Sequence, residues 1–281
     1  MIKRILVALD PGVDTQVATR YGIDLARSHD AEVTGLTVVD LKSIGKQAQG
    51  GGIGSLYFAE QVEARLTAEA RTKAEELKAA FSASTRAAGV RTRVLMLEGA
   101  PVDEIAGVMN AYDLLVVGKH PHFFYSHPEE LTRTLVEVAR RTIGPVLVVG
   151  DVYRPVERVL VAYDGSLHAG RALHSYAHLQ PFGRVLPTTV LHVYEDAQDE
   201  PDSAALVEQA LAYLRVHGLE AQPASVQGEH PATQILDYVR QRQIDLLVMG
   251  AHGVSRIEQL LTGSVTQELL EQAPTLLFMD H

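Results

Sequence analysis

The sequence predicts an α/β chain made of two tandem doubly wound domains, each with a five-stranded parallel sheet. Three observations carry that expectation. Five apolar segments occur twice in the same order along the 281 residues. Each segment reads as a short β-branched or Leu-rich run without clean polar alternation, the pattern of a strand buried on both faces. Stretches with helical period lie between the segments, so strand and helix alternate. That alternation calls for right-handed crossovers and helices on both faces of a parallel sheet.

The elements follow in order. Ile5-Leu-Val-Ala-Leu-Asp10 returns as Val159-Leu-Val-Ala-Tyr-Asp164, and Leu36-Thr-Val-Val39 as Leu191-His-Val-Tyr194. Leu97-Glu-Gly-Ala-Pro101 is matched by Val226-Gln-Gly-Glu-His-Pro231. Asp113-Leu-Leu-Val-Val-Gly118 returns as Asp245-Leu-Leu-Val-Met-Gly250, and Pro145-Val-Leu-Val-Val149 as Pro274-Thr-Leu-Leu-Phe278. Ala18, Tyr21, Ile23, Leu25 and Ala26 mark one helix, and Val62 to Ala80, dense in charged pairs, marks another. The domains are therefore expected at 1–150 and 156–281, with the boundary near Gly150 to Pro155. The first half carries about 26 extra residues between its second and third segments, including Gly50-Gly-Gly-Ile-Gly54.

Composition narrows the function. With 25 Lys and Arg against 35 Asp and Glu, the formal charge is −10, which argues against nucleic acid as a general partner. Cysteine is absent, so disulfides, thiolate zinc sites and cysteine nucleophiles are excluded together. No apolar run approaches the roughly 18 residues of a membrane span, and Ile5 to Leu9 is too short for a signal sequence. A soluble cytoplasmic protein is the expectation. GxSxG, HExxH, kinase loops and the SGGxDS loop of ATP pyrophosphatases are all missing.

Ligands of open α/β sheets bind beyond the carboxyl ends of strands, where the strand order reverses. In the second half the loops expected there are Asp164-Gly-Ser-Leu-His168 and Gly250-Ala-His-Gly253. The latter opens Gly250-x2-Gly253-x9-Gly263-Ser264, followed by Val265 and Thr266. Glycines let backbone N–H groups approach an anion, and Ser264 and Thr266 can open a helix over Val265–Gln272 whose N-terminus favours phosphate. Asp164 suits a neutral donor such as a ribose hydroxyl.

With these residues the chain resembles the universal stress protein family in its tandem-domain form, over essentially its whole length. The nucleotide-binding members carry G-x2-G-x9-G-[ST], which is complete from Gly250 to Ser264. The resemblance implies an adenine nucleotide alpha hydrolase-like fold. It further implies that an adenine nucleotide (ATP, ADP or AMP, with Mg²⁺ able to accompany ATP) is held in the second domain. The implied contacts are Ala162, Asp164 and Val193 for the nucleoside, and Gly250, His252, Gly253, Gly263, Ser264, Val265 and Thr266 for the phosphates.

The first half departs from that pattern. Gly118-Lys-His-Pro121 puts a proline, without an N–H, in place of the second glycine. The interval Gly118–Pro145 is three residues longer than Gly250–Pro274, and Thr134-Leu135 stands where Gly263-Ser264 would. A structural half is expected there. Gly50–Gly54 lacks the lysine of a P-loop and reads as a flexible loop, with a lid over the first domain as the other reading. His120, His122 and His127, among Phe123, Phe124 and Tyr125, read as a packed aromatic loop more readily than as a metal site. His174 and His178 share a solvated helix face.

The resulting expectation is a nucleotide-binding stress-response regulator, its two halves packed as an internal pseudo-dimer across their final strands. The alternatives are a weak ATPase or nucleotide-dependent enzyme, and a module whose first domain holds another small molecule or metal. No catalytic residue is assigned. A membrane partner is not expected, and a homodimer and the identity of a protein partner stay open.

Overall fold

The computed structural model of the chain describes residues 1–48, 56–121, 131–182, 186–251 and 265–281. The first half contributes β1 (Arg4–Ala8), β2 (Glu32–Val39), β3 (Arg91–Glu98), β4 (Leu114–Gly118) and β5 (Val146–Val149). The second contributes β6 (Val159–Ala162), β7 (Thr188–Tyr194), β8 (Ala221–Gln227), β9 (Leu246–Gly250) and β10 (Leu276–Asp280). They form one sheet in the order β3-β2-β1-β4-β5-β10-β9-β6-β7-β8. Each half is parallel and doubly wound, as the repeat predicts. The halves join where β5 and β10 pair antiparallel, with Val148 opposite Leu277 and Val146 opposite Met279. The expected packing across final strands is thus a continuous ten-stranded sheet.

Strand periodicity sorts the core into two layers. Ile5, Val7 and Leu9 face one side, with α1 (Thr15–His29), α3 (Leu56–Ala88), α6 (Leu167–Leu179) and α7 (Glu200–Val216) packed over it. Leu6 and Ala8 face the other, against α4 (Pro101–Met109), α5 (Leu131–Arg141), α8 (Pro231–Arg242) and α9 (Val265–Gln272). A further helix, α2 (Leu41–Ala48), comes after β2 and packs Ile44 against Ala70 and Ala74 of α3. Among the described residues, no helix is long and apolar enough to cross a membrane.

Two expectations need correction. Burial on both faces holds for the inner strands but fails for β3 and β8, which are the sheet edges and largely open to solvent. Arg91 and Arg93 on one edge, and Pro223 on the other, discourage further strand addition. The helix expected over Val62–Ala80 extends to Leu56–Ala88, and supplies most of the first half's additional length.

Two carboxylates brace the repeat. Asp113 Oδ2, just before β4, accepts from the Lys3 and Arg4 amides at 2.7 and 2.9 Å. Asp245 Oδ2, just before β9, accepts from the Glu157 and Arg158 amides, both at 2.9 Å. The segment joining the halves is also pinned. Tyr21 of α1 donates its hydroxyl to the Arg154 carbonyl at 2.7 Å and accepts from the Arg154 amide at 3.0 Å. Tyr153 packs beside it with the two rings tilted by 36°, and donates to Asp24 Oδ2 at 2.8 Å.

Candidate functional site

In the second half, the strand order reverses between β6 and β9, and the crevice of a doubly wound sheet opens there. Ala162 ends β6 and is half-buried. Asp164 follows on the exposed turn, whose Gly165 has φ +74°. Its Oδ1 accepts from the Ser166 amide at 2.9 Å. Ser166 in turn caps α6, its hydroxyl accepting from the Ala169 amide at 3.2 Å.

Val193 lies on β7 two residues beyond Leu191, the last residue paired with β6. Leu191 O accepts from the Tyr163 amide on the β6 side, and Tyr194 O accepts from the Gly228 amide on the β8 side. Successive residues of a strand alternate edges. The peptide groups of Val193 therefore turn toward the β6 side, past the end of that strand, with an N–H and a C=O available side by side.

Gly250 ends β9 against the start of α6. A Cβ there would lie 2.7 Å from Ala169 N and from the His168 carbonyl carbon. Helix packing alone therefore requires glycine at the first motif position. His252, Gly253, Gly263 and Ser264 lie outside the described residues. The helix expected over Val265–Gln272 is α9, with Val265 exposed at its start. Thr266 is 2% exposed, and the backbone N–H groups of a helix's first turn are the ones it leaves open to a phosphate.

Sequence reasoning missed His192. Its Nδ1 lies 2.8 Å from Ser203 Oγ, which donates onward to Ser225 Oγ at 3.0 Å. Burial lowers the His192 pKa, and the nearby Asp164 charge opposes that shift. Nothing in the local sequence separates this residue from any other polar residue on a strand.

The matching position in the first half is built differently. Asp10 is 3% exposed, and its Oδ1 accepts from the Gly12 amide at 2.9 Å and from Thr15 Oγ1 at 2.8 Å. Asp14 is 1% exposed, and its Oδ2 takes the His120 amide at 2.9 Å and His120 Nδ1 at 3.1 Å. The loops after β1 and β4 are thereby tied to each other. In this region α5 spans Leu131–Arg141. Leu135, in the place of the motif serine, is buried inside that helix.

His122, His127 and the Phe123-Phe124-Tyr125 run lie outside the described residues, as do Gly50–Gly54. Among the described residues, no group of three or more His, Asp or Glu side chains is arranged to hold a metal. His174 and His178 are exposed on α6 as expected, and the His174 ring stacks on Tyr213 of α7 at 4.1 Å and 7°.

Fold and crevice together define a tandem α/β protein of two doubly wound halves. The sequence profile of the universal stress protein family matches residues 1–150 and again 155–278, and the chain belongs to that family. Universal stress protein Slr1230 of Synechocystis sp. is 28% identical over 292 residues, covering 99% of this chain and all of that one. A universal stress protein structure from Archaeoglobus fulgidus DSM 4304 superposes with a TM-score of 0.70 at 21% identity, covering 99% of this chain and 95% of that one. A structure described as a putative universal stress protein from Pseudomonas aeruginosa UCBPP-PA14 gives 0.59 at 17%, covering 99% and 93%. At these identities the structural likeness speaks to the fold.

Proposed function

We propose that the chain binds one adenine nucleotide, in the crevice of its second half, and acts as a nucleotide-responsive binding protein in the stress response. One contrast carries this reading. Among the described residues Asp164 stands exposed with a single backbone bond, whereas its counterpart Asp10 is buried and its Oδ1 is bonded within its own loop. Asp164 is placed to accept from ribose hydroxyls beside Ala162. The paired N–H and C=O of Val193 suit the edge of an adenine ring.

The phosphates would fall to backbone amides from Gly250 through His252, Gly253, Gly263 and Ser264 to the first turn of α9 at Val265 and Thr266. ATP, ADP and AMP all fit this chemistry, and Mg²⁺ would accompany ATP. Among the described residues no base is placed to activate water, so turnover should stay far below the roughly 1–1,000 per second of ordinary enzymes.

Calorimetric titration of the full chain with ATP tests the proposal. The expected stoichiometry is one. Asp164→Asn should weaken binding by about 0.5–3 kcal/mol, the range for losing a neutral to a charge-assisted hydrogen bond. Asp10→Asn should leave the affinity unchanged. A stoichiometry near two, or loss of binding in Asp10→Asn alone, would overturn it.

A further inference from the structure

A second cavity of about 300 Å³ lies at the seam between the halves, away from the second-half crevice. Lys119 and His120, just after β4, and Gly150, just after β5, line one side. Thr275, just before β10, lines the other. No residue from the loop after β1 takes part in the lining.

Lys119 is peculiar to this half. Its amide donates to Val149 O at 2.7 Å, as the Ala251 amide donates to Asp280 O at 2.7 Å, so the two residues hold equivalent backbone positions. Where the second half has a buried alanine, the first has an ammonium. Lys119 Nζ crosses the seam and donates to Ala273 O at 2.9 Å. Among the described residues, no carboxylate lies within ion-pairing distance of it, and its other two N–H donors are unaccounted for.

Thr275 supplies the second unmet need. Its Oγ1 is buried and has no hydrogen-bond partner among the described residues. A buried hydroxyl left unpaired is destabilising, and turning the Thr275 side chain toward an oxygen in the cavity would relieve that. His120 adds a third group. Buried Asp14 holds its Nδ1, which orients the ring and leaves Nε2 for another partner. Of the carboxylates that line the cavity, Asp245 is already bonded to two backbone amides, and Asp151 is exposed to solvent.

We propose that this seam cavity binds a small oxyanion, a phosphate or carboxylate group, held by Lys119 of the first half and Thr275 of the second. Burial holds the Lys119 ammonium below the ordinary lysine range, against the opposing pull of Asp14, Glu271 and Asp151. An anion delivered to Nζ reverses that penalty. Because its two main contacts come from different halves, the bound group also fastens the seam. The site does not depend on the nucleotide reading.

The test titrates the full chain, at constant ionic strength held by chloride, with inorganic phosphate and separately with malonate. One saturable site is expected for at least one probe, and the probe that binds identifies the headgroup. Lys119→Met should weaken it roughly tenfold or more, the loss of a charge-assisted contact. Thr275→Val should weaken it about threefold to tenfold and leave the ligand-free melting temperature unchanged or higher, because the hydroxyl has no partner to lose. Absence of saturable binding for both probes overturns the proposal. So does parental affinity in Lys119→Met or in Thr275→Val, which would place the anion elsewhere, the second-half crevice included.

Discussion

Asp10 and Asp164 end equivalent strand segments, and their fates diverge because different residues come next in each half. Thr15 and Gly12 donate to Oδ1 of the first carboxylate within its own loop, while the second takes the Ser166 amide and stays open to solvent. The importance of Asp164 and Gly250 was legible from motif and repeat. The Asp113 and Asp245 braces were not, because their amide partners lie 109 or 110 and 87 or 88 positions away in sequence. His174 gives a test at this scale. Burial, then the charges of His178 and His217, hold its pKa below the ordinary 6.5. On acidification the unfolded chain takes up this proton first. The stabilising contribution is therefore present above about pH 6.5 and lost as pH falls through the lower folded value. Urea unfolding at pH 7.5 and 5.5 should show a smaller acid loss in His174→Phe, which keeps the stack on Tyr213. An equal loss in both proteins would remove His174 as a contributor.

Elements were readable where their environment is uniform. Inner strands are apolar on both faces and announce themselves, as in Leu114–Gly118 and Leu246–Gly250. The edges β3 and β8 are half-open, and their mixed composition left only the matched segments at their ends to find. Leu135, where the motif serine would stand, turns into the core from α5, and that depends on packing and not on local preference. The joining segment shows the same limit. Its Pro155 and charged residues read as a linker, yet α1 holds it through Tyr21 and Tyr153. Tyr21→Phe removes one donor and one acceptor from the Arg154 peptide and should destabilise the chain by about 1–3 kcal/mol. Denaturant unfolding measures this, and an unchanged midpoint would mean that water replaces both bonds.

At the scale of the molecule, the β5–β10 seam makes one sheet out of two. Residues 1–150 produced alone would expose β5, a bare apolar edge of Val146–Val149. Such an edge pairs with a copy of itself in the antiparallel sense it already uses with β10. Light scattering on that fragment should report twice the monomer mass, and a stable monomer would show that the seam does not drive association. The same antiparallel joint has a directional consequence. Strands β1 to β5 run one way and β6 to β10 the other, so the carboxyl ends of the two halves emerge on opposite rims of the sheet. Whatever docks on the rim carrying Asp164 and Gly250 leaves the rim carrying Asp10 and Gly118 uncovered. The two strand-end crevices of the chain therefore open in opposite directions, and a molecule seated at one does not obstruct the approach to the other.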